Sequence, residues 1–139
     1  MSGAKRRIAV IDDDAIFVEL MIDLLSTTEG YEVVSNSHPV ETFAFVKDQQ
    51  PDLIILDLMT GREETGWDAL DRLRADPETA DIPIIVCTAA ASALRQNQPR
   101  LVSGPYLEAI AKPFDVDDLL ALIERLLEQR HSRPVIQPS

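Results

Sequence analysis

A chain of 139 residues with 45% hydrophobic content is long enough for one domain with a buried core and too short for two. Its 13 basic against 24 acidic residues leave a net charge of -11, which argues against DNA, RNA or an anionic membrane as a partner and favours basic proteins and metal ions. A single cysteine, Cys87, excludes an internal disulfide framework and a multi-cysteine metal site; with no apolar run near the roughly 18 residues of a membrane span and a start, MSGAKRR, that lacks the apolar h-region of a secretory signal, a cytoplasmic location is expected.

The first predicted element is a strand over 8–11, followed at once by three adjacent carboxylates, Asp12, Asp13 and Asp14. A helix is predicted over 15–27, where Phe17, Leu20, Met21, Leu24 and Leu25 fall on one stripe at helical spacing. Asp14 is placed to cap its start, and Gly30 lies just past its end. Strands over 31–34, 53–56 and 82–87 alternate with helices over 41–49 and 67–74. The third and fourth strands carry Ile and Leu on consecutive positions, the pattern of strands buried on both faces. A less regular helix with Pro99 inside it is expected within 92–102, then a weaker strand over 107–111. The last helix runs from 116 to about 129 with Val116, Leu119, Leu120, Ile123, Leu126 and Leu127 on its apolar stripe and Asp115 as its cap. Residues 1–130 are read as one domain, and 131–139, with two prolines, as a flexible tail or truncated linker.

Strand alternating with helix at this spacing calls for parallel strands joined by right-handed crossovers, with helices on both faces. That is a doubly wound α/β domain, and in such folds the functional crevice lies beyond the carboxyl ends of the strands. Asp12 and Asp13 follow the first strand, Asp57 the third, Thr88 ends the fourth, and Lys112-Pro113 follow the fifth. Two carboxylates ~4 Å apart repel by about 4 kcal/mol at an effective dielectric of ~20. A divalent cation and a lysine would offset that, and Mg2+ suits the site because it binds through a few carboxylates, keeps waters and often takes phosphate oxygens as further ligands.

Five such motifs in order resemble the receiver domain of bacterial two-component response regulators over about 5–129. The resemblance implies a flavodoxin-like five-stranded sheet of order 2-1-3-4-5 that accepts a phosphoryl group from a histidine kinase or phosphotransfer protein. Asp57 matches the phosphoacceptor, a nucleophile that forms an acyl phosphate. Asp12 and Asp13, with Asp57 and the backbone carbonyl of Met59, match the Mg2+ ligands. Lys112 and the hydroxyl of Thr88 match the groups that offset and bond the phosphoryl oxygens. The expected output is altered binding to a downstream protein, by a monomer or weak homodimer that is not itself an enzyme.

Three positions depart from the family's pattern. Gly61 stands where a proline is usual four residues after the phosphoacceptor, and Gly66 comes one residue late, so the loop MTGREETGW is one residue longer. Ala109 stands three residues before Lys112, where a Tyr or Phe commonly reports phosphorylation. These departures keep a phosphate-independent pseudo-receiver as the alternative. A Mg2+-dependent aspartyl phosphohydrolase ranks lower, because Met59 occupies the position of its usual acid/base aspartate. Cys87 is read as inert core, Asp14 as a cap rather than a ligand, and His38 and His131 as surface residues without a role.

Overall fold

The computed structural model describes residues 6–28, 30–36, 42–57, 65–88, 107–111 and 114–132, with backbone alone at 28, 65–68, 88, 111 and 130–132. Five strands, β1 (Arg7–Ile11), β2 (Glu32–Asn36), β3 (Leu53–Leu56), β4 (Ile84–Thr88) and β5 (Leu107–Ala111), form one sheet. Among the described residues the helices are α1 (Ala15–Thr28), α2 (Thr42–Gln49), α3 (Thr65–Ala75) and α4 (Val116–Ser132). The order is β2-β1-β3-β4-β5 and every pairing is parallel. The winding goes outward from β1 to β2, then returns past β1 to β3, so its direction reverses between β1 and β3.

The period of two along each strand divides the apolar side chains between two cores. Ile8 and Val10 of β1, Leu53 and Ile55 of β3, and Ile85 and Cys87 of β4 pack with Val18, Met21 and Leu25 of α1 and with Leu119, Ile123, Leu126 and Leu127 of α4. The intervening Ala9, Ile11, Ile54, Leu56, Ile84 and Val86 face Val46 of α2 and Leu70 and Leu73 of α3. Each fully buried Ile or Leu contributes roughly 1.5–3 kcal/mol of transfer free energy, which is why consecutive apolar residues are required here. A slip of one residue in β1 or β3 would draw Asp12 or Asp57 into this apolar layer, so the acids that end the strands also help fix their register.

The strands and helices stand where the periodicity places them, with four informative differences. β4 begins at Ile84 rather than 82, because Pro83 has no amide to donate and the preceding residues form turns over 76–82, closed by the Ile82 amide on the Thr79 carbonyl (3.1 Å). β2 runs to Asn36, past the apolar residues, because Ser35 and Asn36 pair with Val10 and Ile11. On α1 the inward stripe is Val18, Met21 and Leu25, while Leu20 is turned out and 63% exposed. α4 is described to Ser132, beyond the expected end near 129. The expected helix within 92–102 lies outside the described residues.

Candidate functional site at the strand ends

Residue pairing carries the acids to one place. Ile11 of β1 is paired with Leu56 of β3, so the next residue of each strand, Asp12 and Asp57, emerges side by side where the winding reverses. The Asp57 amide donates to the Ile11 carbonyl (3.0 Å) and the Asp12 amide to the Asn36 carbonyl of β2 (3.3 Å), extending the ladders across the rim. One carboxylate oxygen from each of Asp12, Asp13 and Asp57 lies within 4.8 Å of the other two. Asp12 is 2% exposed and Asp57 7%, whereas Asp13 is open to solvent. Two buried acids and one exposed acid form a cup that a hard cation fits by donor chemistry: all three donors are carboxylate oxygens, and Asp13 is in contact with solvent.

The third acid of the run is engaged elsewhere. Asp14 Oδ1 accepts the amides of Ile16 (3.1 Å) and Phe17 (3.3 Å), the second and third residues of α1, and the Asp14 carbonyl accepts the Val18 amide (3.0 Å). This is an N-cap, as the residue type and position predict. The Asp14 amide in turn donates to Asp12 Oδ1 (2.9 Å). Sequence reasoning did not anticipate that bond, nor the Asn36 carbonyl behind Asp12, since Ser35 and Asn36 lack the apolar character that marked the other strands.

The remaining rim residues follow from the topology. Thr88 is the last residue of β4, and Ala111 is its partner at the end of β5. The side chain of Thr88, and the whole of Met59 and Lys112, lie outside the described residues. Ala109, at the middle of the edge strand β5, is exposed. α4 starts beside this rim with Asp115 Oδ1 accepting the Asp117 amide (2.9 Å), and the Phe114 ring meets Phe17 of α1 edge-on at 6.1 Å between centroids. Cys87 is buried in the core, as expected.

A five-stranded 2-1-3-4-5 sheet with an acidic cup at its switch point defines a doubly wound α/β domain of the flavodoxin type. The chain belongs to the response regulator receiver domain family, whose model matches residues 8–124. It is 36% identical over 131 residues to the DNA-binding dual master transcriptional regulator RpaA of a Synechocystis species, a match covering 92% of this chain and 52% of that protein. It is 27% identical to the polar-differentiation response regulator DivK of Brucella anthropi, covering 88% of this chain and 96% of DivK. The chain thus spans about half the length of RpaA and nearly all of DivK. Among solved structures, a CheY-like response regulator receiver domain protein from Methanospirillum hungatei superposes with a TM-score of 0.81 at 24% identity over 93% of this chain and 98% of that one. The receiver domain of the sensor histidine kinase PA1611 from Pseudomonas aeruginosa, solved with a magnesium ion in its active site cleft, gives 0.73 at 22% identity over 90% of this chain and 99% of that chain. Both show the same fold.

Proposed function

We propose that this receiver is phosphorylated on Asp57 in a Mg2+-dependent reaction and signals by changing its affinity for a protein partner. The observation that carries the reading is the convergence of Asp12, Asp13 and Asp57 within 4.8 Å at the switch point, in a chain of the receiver family. In the transfer, a carboxylate oxygen of Asp57 forms the new P–O bond while the P–N bond of a phosphohistidine on the donor breaks, and the imidazole nitrogen leaves with the electron pair. Asp12, Asp13, Asp57 and the Met59 carbonyl would hold Mg2+, which would supply positive charge to the phosphoryl oxygens. Lys112 adds a second positive charge, and the Thr88 hydroxyl donates to a phosphoryl oxygen once the group is in place. The acyl phosphate adds about -1.5 to -2 charge at pH 7, and the movement of Thr88 and Lys112 toward it is the switch.

The donor is a histidine kinase or phosphotransfer protein, and the surface beside the cup suits one. The exposed large apolar side chains among the described residues are Ile16 and Leu20 on α1 and Val116 at the start of α4. Ile16 and Val116 lie in the first turns of helices that begin at the rim, and Glu19 and Asp23 border Leu20 with negative charge. That combination fits an apolar helical ridge with basic flanks on the donor. No helix among the described residues is long and apolar enough to cross a membrane, and the domain acts in the cytoplasm as a monomer or weak homodimer without contacting nucleic acid.

Intact-protein mass spectrometry after incubation with acetyl phosphate tests the reading. Wild type gains a single phosphoryl adduct with Mg2+ and none with excess chelator, and Asp57→Asn gains none in either condition. A phosphate-independent interaction module is the second reading, favoured by the exposed Ala109 in place of an aromatic; it expects no adduct from any donor and unchanged partner binding in Asp57→Asn.

A further inference from the structure

Asp14 is the acid of the triplet that takes no part in the cup, yet it is bonded to both the cup and the helix behind it. Its carboxylate holds the amides of Ile16 and Phe17, and its own amide holds Asp12 Oδ1. Asp12 is buried, so it has little freedom to find another orientation once that bond is made. Asp13, exposed and a cup member, is the residue between these two anchored neighbours. We infer that Asp14 is a positioning residue for the cation site: by capping α1 it fixes the backbone amide that orients the Asp12 carboxylate, and so presets Asp12 and Asp13 for metal.

This inference rests on the reading of the cup as a Mg2+ site. Its physical content is preorganisation. If the first turn of α1 and the 12–14 corner are already ordered, binding a cation does not have to order them; if the cap is lost, part of the binding free energy is spent on ordering the corner without it. The side-chain charge of Asp14 plays the smaller part, because it faces the positive end of the α1 dipole and two amide donors. A cap without charge therefore serves as well as one with it. That separates the positioning role from the two obvious rivals. A general electrostatic contribution to cation affinity depends on the charge and not on the cap. A merely structural cap lowers stability without changing metal affinity at all.

The test is a Mg2+ titration followed by 1H–15N correlation spectra of the wild type, Asp14→Ala, Asp14→Asn and Asp14→Ser, reading the amides of Asp13, Ile16, Phe17 and Asp57. Asp14→Ala is expected to bind Mg2+ about threefold to tenfold more weakly, with the Ile16 and Phe17 amides displaced from their wild-type shifts with and without metal because their acceptor is gone. Asp14→Asn and Asp14→Ser, which keep an acceptor for the same amides, are expected to stay within about twofold of wild type. Equal affinity in Asp14→Ala and wild type overturns the inference and leaves the cup intact. So does an Asp14→Asn as weak as Asp14→Ala, which would assign the effect to charge. A wild type with no saturable response overturns the Mg2+ reading and this inference together. The asparagine and serine variants keep the cap and the fold, so a fall in affinity in either overturns the inference whether or not the alanine variant folds.

Discussion

Thr42 opens α2 with its side chain fully buried, and its Oγ1 has no hydrogen-bond partner among the described residues. A hydroxyl left unpaired away from water costs roughly 1–3 kcal/mol relative to one that is bonded. Valine has nearly the same shape and no such group, so Thr42→Val is expected to raise the unfolding free energy by about 1 kcal/mol in urea titration, with an unchanged slope. A loss of stability instead would mean that the hydroxyl is bonded in solution. The site shows a related economy among its acids. Three adjacent aspartates are a strange choice for a strand end until each is given its own work: Asp12 and Asp13 join Asp57 in the cup, and Asp14 satisfies the orphan amides of α1. The residue types were enough to suggest this division, because a carboxylate immediately before an apolar helical stripe is a cap by default. The bond from the Asp14 amide to Asp12 was not legible, since it depends on how the chain turns between strand and helix and on no residue type at all.

On the α2–α3 side an electrostatic clasp joins the two helices. Lys47 Nζ lies 3.3 Å from Asp76 Oδ2 and 3.5 Å from Glu78 Oε1, and the Phe43 ring has Arg72 at 4.3 Å and Lys47 at 5.3 Å from its centroid. The Asp76 carboxyl is held below its ordinary value of 3.8, first by the Glu78 amide donating to Oδ1 and then by Lys47. Lys47 is raised above its ordinary 10.5, chiefly by its hydrogen bond to Asp76. A depressed acid contributes stability that is present above its unfolded pKa and lost as pH falls through its folded pKa. A raised base contributes stability that is full below its unfolded pKa and lost as pH rises through its folded one. The stability difference between wild type and Asp76→Asn is therefore expected to be flat between about pH 4 and pH 10, to vanish on the acid side and to shrink on the alkaline side. Because the pair is partly exposed, the plateau is also expected to fall with added salt, and a salt-independent plateau would point to the Glu78 amide alone. Elements of this kind were legible in the sequence wherever burial dictated composition. Leu53–Leu56 could only be a strand covered on both sides, and the stripe from Leu119 to Leu127 could only be a helix with one face inward. The misplacements fall where composition stops deciding. Leu20 is apolar but points out, because α1 carries more apolar residues than its buried face holds and the geometry seats Val18 instead. Ser35 and Asn36 are polar but lie in β2, because pairing with β1 continues past the apolar residues.

At the scale of the molecule, folding itself assembles the cup. The sheet order forces Asp12 and Asp57 together whether or not a cation is present, in a chain that already carries a net charge of -11. The fold accepts that cost because the same pairing buries the apolar residues of β1 and β3, and the strands cannot slip without moving the acids inward. Two consequences follow for stability. On the proposed Mg2+ reading the ion binds the folded chain and not the unfolded one, so a hundredfold excess over its Kd is expected to add about 2.7 kcal/mol, or a rise in Tm of several degrees for a domain of this size. Removing one charge from the cup relieves the repulsion in the absence of metal. Asp12→Asn is the informative variant, because it removes the charge while an asparagine Oδ1 still accepts the Asp14 amide. Calorimetry at low ionic strength is expected to show Asp12→Asn melting above wild type in chelator and below it in saturating Mg2+, so that the two curves exchange order with the metal. Sodium chloride should raise the wild-type Tm in chelator and narrow the gap, since screening relieves the same repulsion without occupying the cup. If Asp12→Asn instead melts below wild type in both conditions, the three acids are held by favourable contacts within the fold, and the cup costs the molecule nothing to keep.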